Sequence, residues 1–147
     1  MTFIIQFILS FFSTIAFGII SNIPRRALLT SGLTGTCGWL IYYYIKIGLK
    51  SIAFANFVAA FIIGCCSVFF SKKKKIPMII FYIPSLVPLV PGAPAYEAVR
   101  AFVENQPDLG FQKIMIVVTA AISIAGGLMM TTILEQAINH WLRKQKN

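Results

Sequence analysis

Residues 83–102 read IPSLVPLVPGAPAYEAVRAF and hold four of the chain's seven prolines, Pro84, Pro88, Pro91 and Pro94, within eleven positions. Apolar sequence flanks the cluster on both sides. In hydrocarbon, a backbone carbonyl that loses its helical partner is costly unless another group satisfies it. Each of Pro84, Pro88 and Pro91 lacks an N–H and crowds the turn before it. PSLVPLVPG is therefore not expected to run as a regular helix facing lipid. It is tolerable inside protein or beside a water-filled cavity, as in discontinuous membrane helices. The plainer alternative is a membrane-edge loop made of proline turns.

The rest of the chain makes the membrane setting the natural one. Of its 147 residues 58% are hydrophobic and 12% charged, and the mean hydropathy is +0.81. Several apolar runs approach or exceed the roughly 20 residues needed to cross a bilayer core. The expected architecture is all-α and polytopic, one membrane domain with about five transmembrane segments near 3–20, 28–48, 52–71, 76–91 and 113–138, the fourth broken by prolines. The start, MTFIIQF, has no basic region and no convincing cleavage site, so it reads as a retained span. The net charge of +9 sits in short clusters between apolar runs, the pattern of membrane topology rather than of nucleic-acid binding.

Orientation follows from those clusters. With five crossings and the N-terminus outside, the cytoplasmic side holds Arg25, Arg26, Lys72 to Lys75, Arg143, Lys144 and Lys146, nine in all. The outer side then holds Lys46, Lys50, Arg100 and Lys113, four in all. If the broken run re-enters instead of crossing, the split falls to eight against five. The positive-inside rule favours five crossings in a cell (inner or plasma) membrane, N-terminus out and C-terminus in.

Three spans carry small or polar residues every four positions: Gln6, Ser10 and Thr14; Asn56, Ala60 and Gly64; and Thr119, Ser123, Gly127, Thr131 and Glu135. That spacing keeps them along one helix face. Such faces serve helix–helix packing, and three together also suit a shared polar interior.

Enzyme chemistry is hard to find. No Cys/His set has metal spacing, no nucleophile sits beside a plausible base, and no glycine loop follows a strand. No metal, cofactor or enzymatic activity is expected. Cys37, Cys65 and Cys66 read as packing residues in apolar runs, and the single histidine, His140, as an interfacial cation. Glu135 is the one acid inside an expected span, which makes it a candidate proton carrier. An interfacial ion pair with His140 or Arg143 is the alternative.

The chemistry that remains lies at the break. Pro94 is placed to open a new extramembrane helix, about 94–106, because its missing N–H falls among the unpaired ones of a first turn. That helix would aim free N–H groups at the break, a seat for a carboxylate. The candidate solute site comprises Pro88, Val90, Pro91, Gly92 and Ala93 with Tyr96, Glu97 and Arg100. Tyr96 and Arg100 share a face, Arg100 offering a bidentate fork and Glu97 meeting an ammonium group or Arg100 itself. Arg25 and Arg26, after Pro24, serve equally as a membrane-edge anchor or as a second carboxylate-binding element.

The same stretch, with NIPRRALLTSGLTGTCGW from Asn22 to Trp39, resembles the threonine/serine exporter family, in the branch whose short all-membrane subunit is encoded separately. The resemblance covers the whole chain. It implies a secondary exporter of small amino acids or small organic acids, driven by the proton gradient, and a larger partner subunit with a cytoplasmic domain. Two other readings stay open: an assembly subunit whose polar seams grip a membrane partner, and a pore made by self-association.

Overall fold

The computed structural model describes the backbone of residues 2–144 and the side chains of residues 3–137. The side chains of His140, Arg143 and Lys144, and all of Lys146, lie outside the described residues. The described residues form six α-helices: α1 (Thr2–Ile20), α2 (Arg25–Leu49), α3 (Ile52–Lys74), α4 (Ile79–Leu86), α5 (Gly92–Val103) and α6 (Pro107–Lys144), with a 3-10 turn at Val87–Leu89.

Polar ends and left-handed residues set the helix boundaries. Asn22, Lys50, Lys75 and Asn105 adopt positive φ at the ends of α1, α2, α3 and α5. Past three of them the next N–H reaches back five residues, Ile23 to the Gly18 carbonyl, Ile76 to Ser71 and Gln106 to Ala101, at 2.8–3.3 Å. This closure satisfies carbonyls that a helix end leaves unpaired. Ser51 then caps α3 by accepting from the Phe54 N–H at 3.4 Å, so α2 and α3 are joined by a tight connection. Pro107 opens α6 and Asp108 sits in its first turn, both favourable there. The last helix accordingly starts well before the expected residue 113.

Three helices are long and apolar enough to cross a bilayer: α1 over Phe3–Ile20, α3, and α6 over Pro107–Ala137. Counting α4 and α5 as one bent span gives a fourth, with a 51° angle between its halves. Helix α2 is long enough, at 25 residues, but its sequence alternates threonine, serine and glycine with apolar residues. It occupies the centre, against α1, α3 and α4. Its buried threonine, serine and glycine residues face the neighbouring helices, and Leu29, Leu33, Tyr44 and Ile47 form an exposed apolar side. Also facing outward are Ile4, Leu9, Phe12 and Ile20 of α1 and Met115, Ile122 and Met129 of α6.

Small residues let the backbones close. A β-carbon on Gly127 would stand 2.5 Å from the Phe57 carbonyl oxygen, and one on Gly64 would collide with Thr131. Thr131 Oγ1 donates across that contact to the Phe61 carbonyl (3.1 Å) and is also 3.2 Å from its own Gly127 carbonyl. The seams of α3 and α6 are thus used where the two helices meet. Their partners advance together, Phe57 with Gly127, Gly64 with Thr131, Lys72 with Glu135, so α3 and α6 run parallel. Thr119 and Ser123, earlier on the same seam, bond only to their own helix. In the first seam, Gln6 Oε1 accepts from Trp39 Nε1 at 2.7 Å, tying α1 to α2.

Candidate functional site at the proline break

Helix α4 starts beside the lysine-rich end of α3, where Phe81 meets Phe70, and climbs back toward the start of α3. It stays α-helical through Pro84, contrary to the expected irregular backbone. As the sixth residue of a helix that begins at Ile79, Pro84 deprives only the Ile80 carbonyl of its partner. Ser85 next to it is fully buried and donates to both the Phe81 carbonyl (2.7 Å) and the Ser31 carbonyl of α2 (2.9 Å). Those bonds pin the end of α4 to the central helix.

The break proper is short. The Val90 N–H returns to the Val87 carbonyl at 3.3 Å, closing the 3-10 turn. Pro91, at φ −78° and ψ 58°, forms an inverse γ-turn in which the Gly92 N–H bonds the Val90 carbonyl at 2.8 Å. Helix α5 then starts at Gly92, two residues ahead of Pro94, with no side-chain cap. Because Pro91 and Pro94 have no N–H, the turn leaves the carbonyls of Pro88 and Leu89 and the Ala93 N–H outside its own hydrogen bonds.

Beside this turn lies a cavity of about 390 Å³. Pro88, Val90, Pro91, Gly92 and Ala93 all line it, together with Leu89 and Pro94. The opposite wall comes from other helices: Trp39, Tyr42 and Lys46 of α2, Ile52 and Asn56 of α3, Ile116 and Ala120 of α6. Asn56 is 2% exposed; its Nδ2 donates to the Ile52 carbonyl (3.1 Å), and its Oδ1 is buried without a partner among the described residues. The sequence singled out Asn56 only as part of a polar seam, suited to helix packing or to a shared polar interior, and passed over Trp39, Tyr42 and Lys46 as site residues.

The charged residues of α5 go elsewhere. Tyr96 is 69% exposed, and Glu97 pairs with Lys113 of α6. Arg100 Nε donates to Glu104 Oε1 at 2.7 Å rather than meeting Glu97. Glu97, Arg100, Glu104 and Lys113 share a separate cleft of about 180 Å³ between α5 and α6. Arg25 and Arg26 are exposed at the far end of the bundle, where Lys74 Nζ donates to the Arg26 carbonyl. The basic clusters of α2 and α3 therefore share one end. Glu135 is at that end too, in a cleft with Cys65, Val68, Lys72, Thr131 and Leu134. Among the described residues no group of histidine, cysteine or acidic side chains could hold a metal ion.

Comparison with known proteins adds the family. The profile described as "Threonine/Serine exporter, ThrE" matches residues 6–134, from the first turns of α1 to near the end of the described side chains. The chain belongs to the threonine/serine exporter family. The threonine/serine exporter of Corynebacterium glutamicum is 27% identical over 104 residues, covering 71% of this chain and 21% of that protein. The probable threonine/serine exporter of Mycobacterium tuberculosis is 25% identical over 133 residues, covering 87% of this chain and 24% of the relative. The chain thus spans under a quarter of the length of these curated relatives. No solved structure matches. Membership of this exporter family, with its apolar helices, makes the chain a multi-pass membrane protein. The matched stretch takes in the proline break and every wall of its cavity.

Proposed function

We propose that this chain is the membrane part of a small-amino-acid exporter, with threonine or serine as the solute, and that the solute passes through the cavity at the proline break. The observation that carries this reading is the cavity itself. Backbone that no longer bonds within a helix lines it on one side, and on the other is Asn56, whose amide oxygen is buried without a partner among the described residues. Irregular backbone at membrane depth belongs beside such a space.

The rest of the reading follows from family and charge. A larger subunit with a cytoplasmic domain works with this chain, further copies of it take part in the assembly, and the proton gradient drives export. The N-terminus faces out, since Arg25, Arg26 and Lys72 to Lys75 gather at one end of the bundle. The rival reading is an assembly subunit without transport of its own, whose seams would grip a partner; Gly64, Gly127 and Thr131 are already used between α3 and α6 of this chain, which weighs against it.

Counterflow of labelled threonine in inside-out vesicles decides between them. A saturable exchange that depends on this chain supports the exporter, and its absence favours the assembly role. Single cysteines at Lys75 and Lys50, in a background lacking Cys37, Cys65 and Cys66, test orientation. The Lys75 position should resist impermeant reagents in intact cells and the Lys50 position should react.

A further inference from the structure

We propose that the break cavity reads the two ends of a zwitterion with two side chains: Lys46 takes the carboxylate and Asn56 Oδ1 takes the ammonium group. This rests on the cavity being the solute site and adds which residues of this chain distinguish an amino acid from an organic acid or an amine.

The roles follow from what each lining group has left to offer. Asn56 lines the cavity; its Nδ2 donates to the Ile52 carbonyl, and its Oδ1 is buried without a donor, so a rotation of the amide would turn that acceptor toward the solute. An acceptor held out of water without a donor is unfavourable, and a bound N–H relieves it. Trp39 lines the same space, but its indole N–H is committed to Gln6, so it supplies wall and not a donor. Lys46 is the one charged side chain among the lining residues, and its ammonium lies 5.5 Å from the centre of the Tyr42 ring. That ring face holds a cation at the exposed side of the cavity. The remaining side chains of the lining, such as Leu89, Val90 and Ile116, are apolar.

Besides the Tyr42 hydroxyl and the backbone of the break, the lining side chains offer one cation and one neutral acceptor, which suit a solute carrying one carboxylate and one ammonium. With no carboxylate on the wall, a purely cationic solute would face Lys46 unpaired. A purely anionic one would leave Oδ1 without a donor. Arg100 and Glu97 do not compete for either end, being paired with Glu104 and Lys113.

The test uses inside-out vesicles from cells producing the full chain with its cellular partners. Labelled L-threonine uptake is competed by L-threonine amide, which lacks the carboxylate, and by N-acetyl-L-threonine, which lacks the ammonium. In the unaltered protein both analogues should compete at least tenfold more weakly than threonine. Lys46→Met should weaken threonine about tenfold, to the level of the amide, and leave the amide unchanged. Asn56→Leu should bring threonine down to the level of the N-acetyl compound and leave that compound unchanged. Asn56→Asp, close in shape, keeps an acceptor and adds charge, so it should improve the amide at least tenfold relative to threonine.

Equal loss for all three compounds in these variants, or no loss, overturns the division of roles. Gly92→Trp separates that failure from failure of the site itself. Gly92 lines the cavity, and a β-carbon there meets nothing within 4 Å, so bulk can be added at the cavity wall without displacing backbone. If Gly92→Trp transports normally, or the unaltered vesicles take up no threonine, the break is not the solute path and the inference falls with it. If Gly92→Trp blocks uptake while the Lys46 and Asn56 variants keep normal discrimination, only the inference falls.

Discussion

Thr14 Oγ1 occupies the space that a side chain on Gly35 would need: a β-carbon there would stand 2.4 Å from it. The α-carbon of Ser85 is 3.1 Å from the same point, so α1, α2 and α4 converge on this glycine. Gly35→Ala should destabilise the protein by about 1–3 kcal/mol, the usual penalty for overpacking. Adding Thr14→Ala removes the two nearest atoms and should recover most of that loss, because the Thr14 hydroxyl bonds only its own helix, at the Ser10 carbonyl. Thermal midpoints in mild detergent measure both.

The turn at Pro91 depends on two missing N–H groups and one inverse γ-turn. Replacing Pro88 and Pro91 by alanine restores donors at both positions and lets α4 run on toward α5. The double variant should insert and assemble normally and lose threonine counterflow. Normal counterflow would reduce the break to a connecting loop.

Arg100 and its partner Glu104 are both largely in solvent, at 62% and 44% exposed. Exposed pairs of this kind contribute about 0–1 kcal/mol. Arg100→Gln should therefore change stability little, and should reduce threonine uptake less than Lys46→Met does. The reverse order would restore the helix from Gly92 as a solute-binding element.

Glu135 sits with Lys72 at the opposite end of the α3–α6 contact from Asn56. If it carries the coupling proton, Glu135→Gln should abolish accumulation driven by a pH gradient while leaving gradient-free exchange in place. Unchanged accumulation with unchanged pH dependence assigns Glu135 to an ion pair at the membrane edge.

The all-α membrane class was legible because apolar runs and basic clusters are local properties of the chain, as in Ile52–Lys74 and its terminal lysines. The proline cluster likewise announced a break. Its detail was less legible: Pro84 lies inside α4 at the cost of one partner for the Ile80 carbonyl, and the start of that helix at Ile79 is a boundary that composition does not mark. The Arg100–Glu104 pair was readable from its spacing of four and was overlooked in favour of Glu97. Trp39, Lys46 and Asn56 were not readable as site residues. They are brought to the break by the packing of α2 and α3, which no local pattern specifies.

The connection at Lys50 and Ser51 and the cluster Lys72 to Lys75 make α3 a measuring rod set across the bilayer. Lysines at both ends resist being drawn into hydrocarbon, and the 23 residues of Ile52–Lys74 rise about 34 Å, close to the apolar thickness. Asn56 is therefore held at a fixed depth. By helical rise it lies about 8 Å below the face marked by Ser51 and about 24 Å from the face marked by Lys72. A solute held there, as proposed, would be nearly at one surface already. The way out on that side would be short, so under the proposed function whatever must move to complete a transport cycle would lie along the longer path, among the closely packed backbones of α2, α3, α4 and α6.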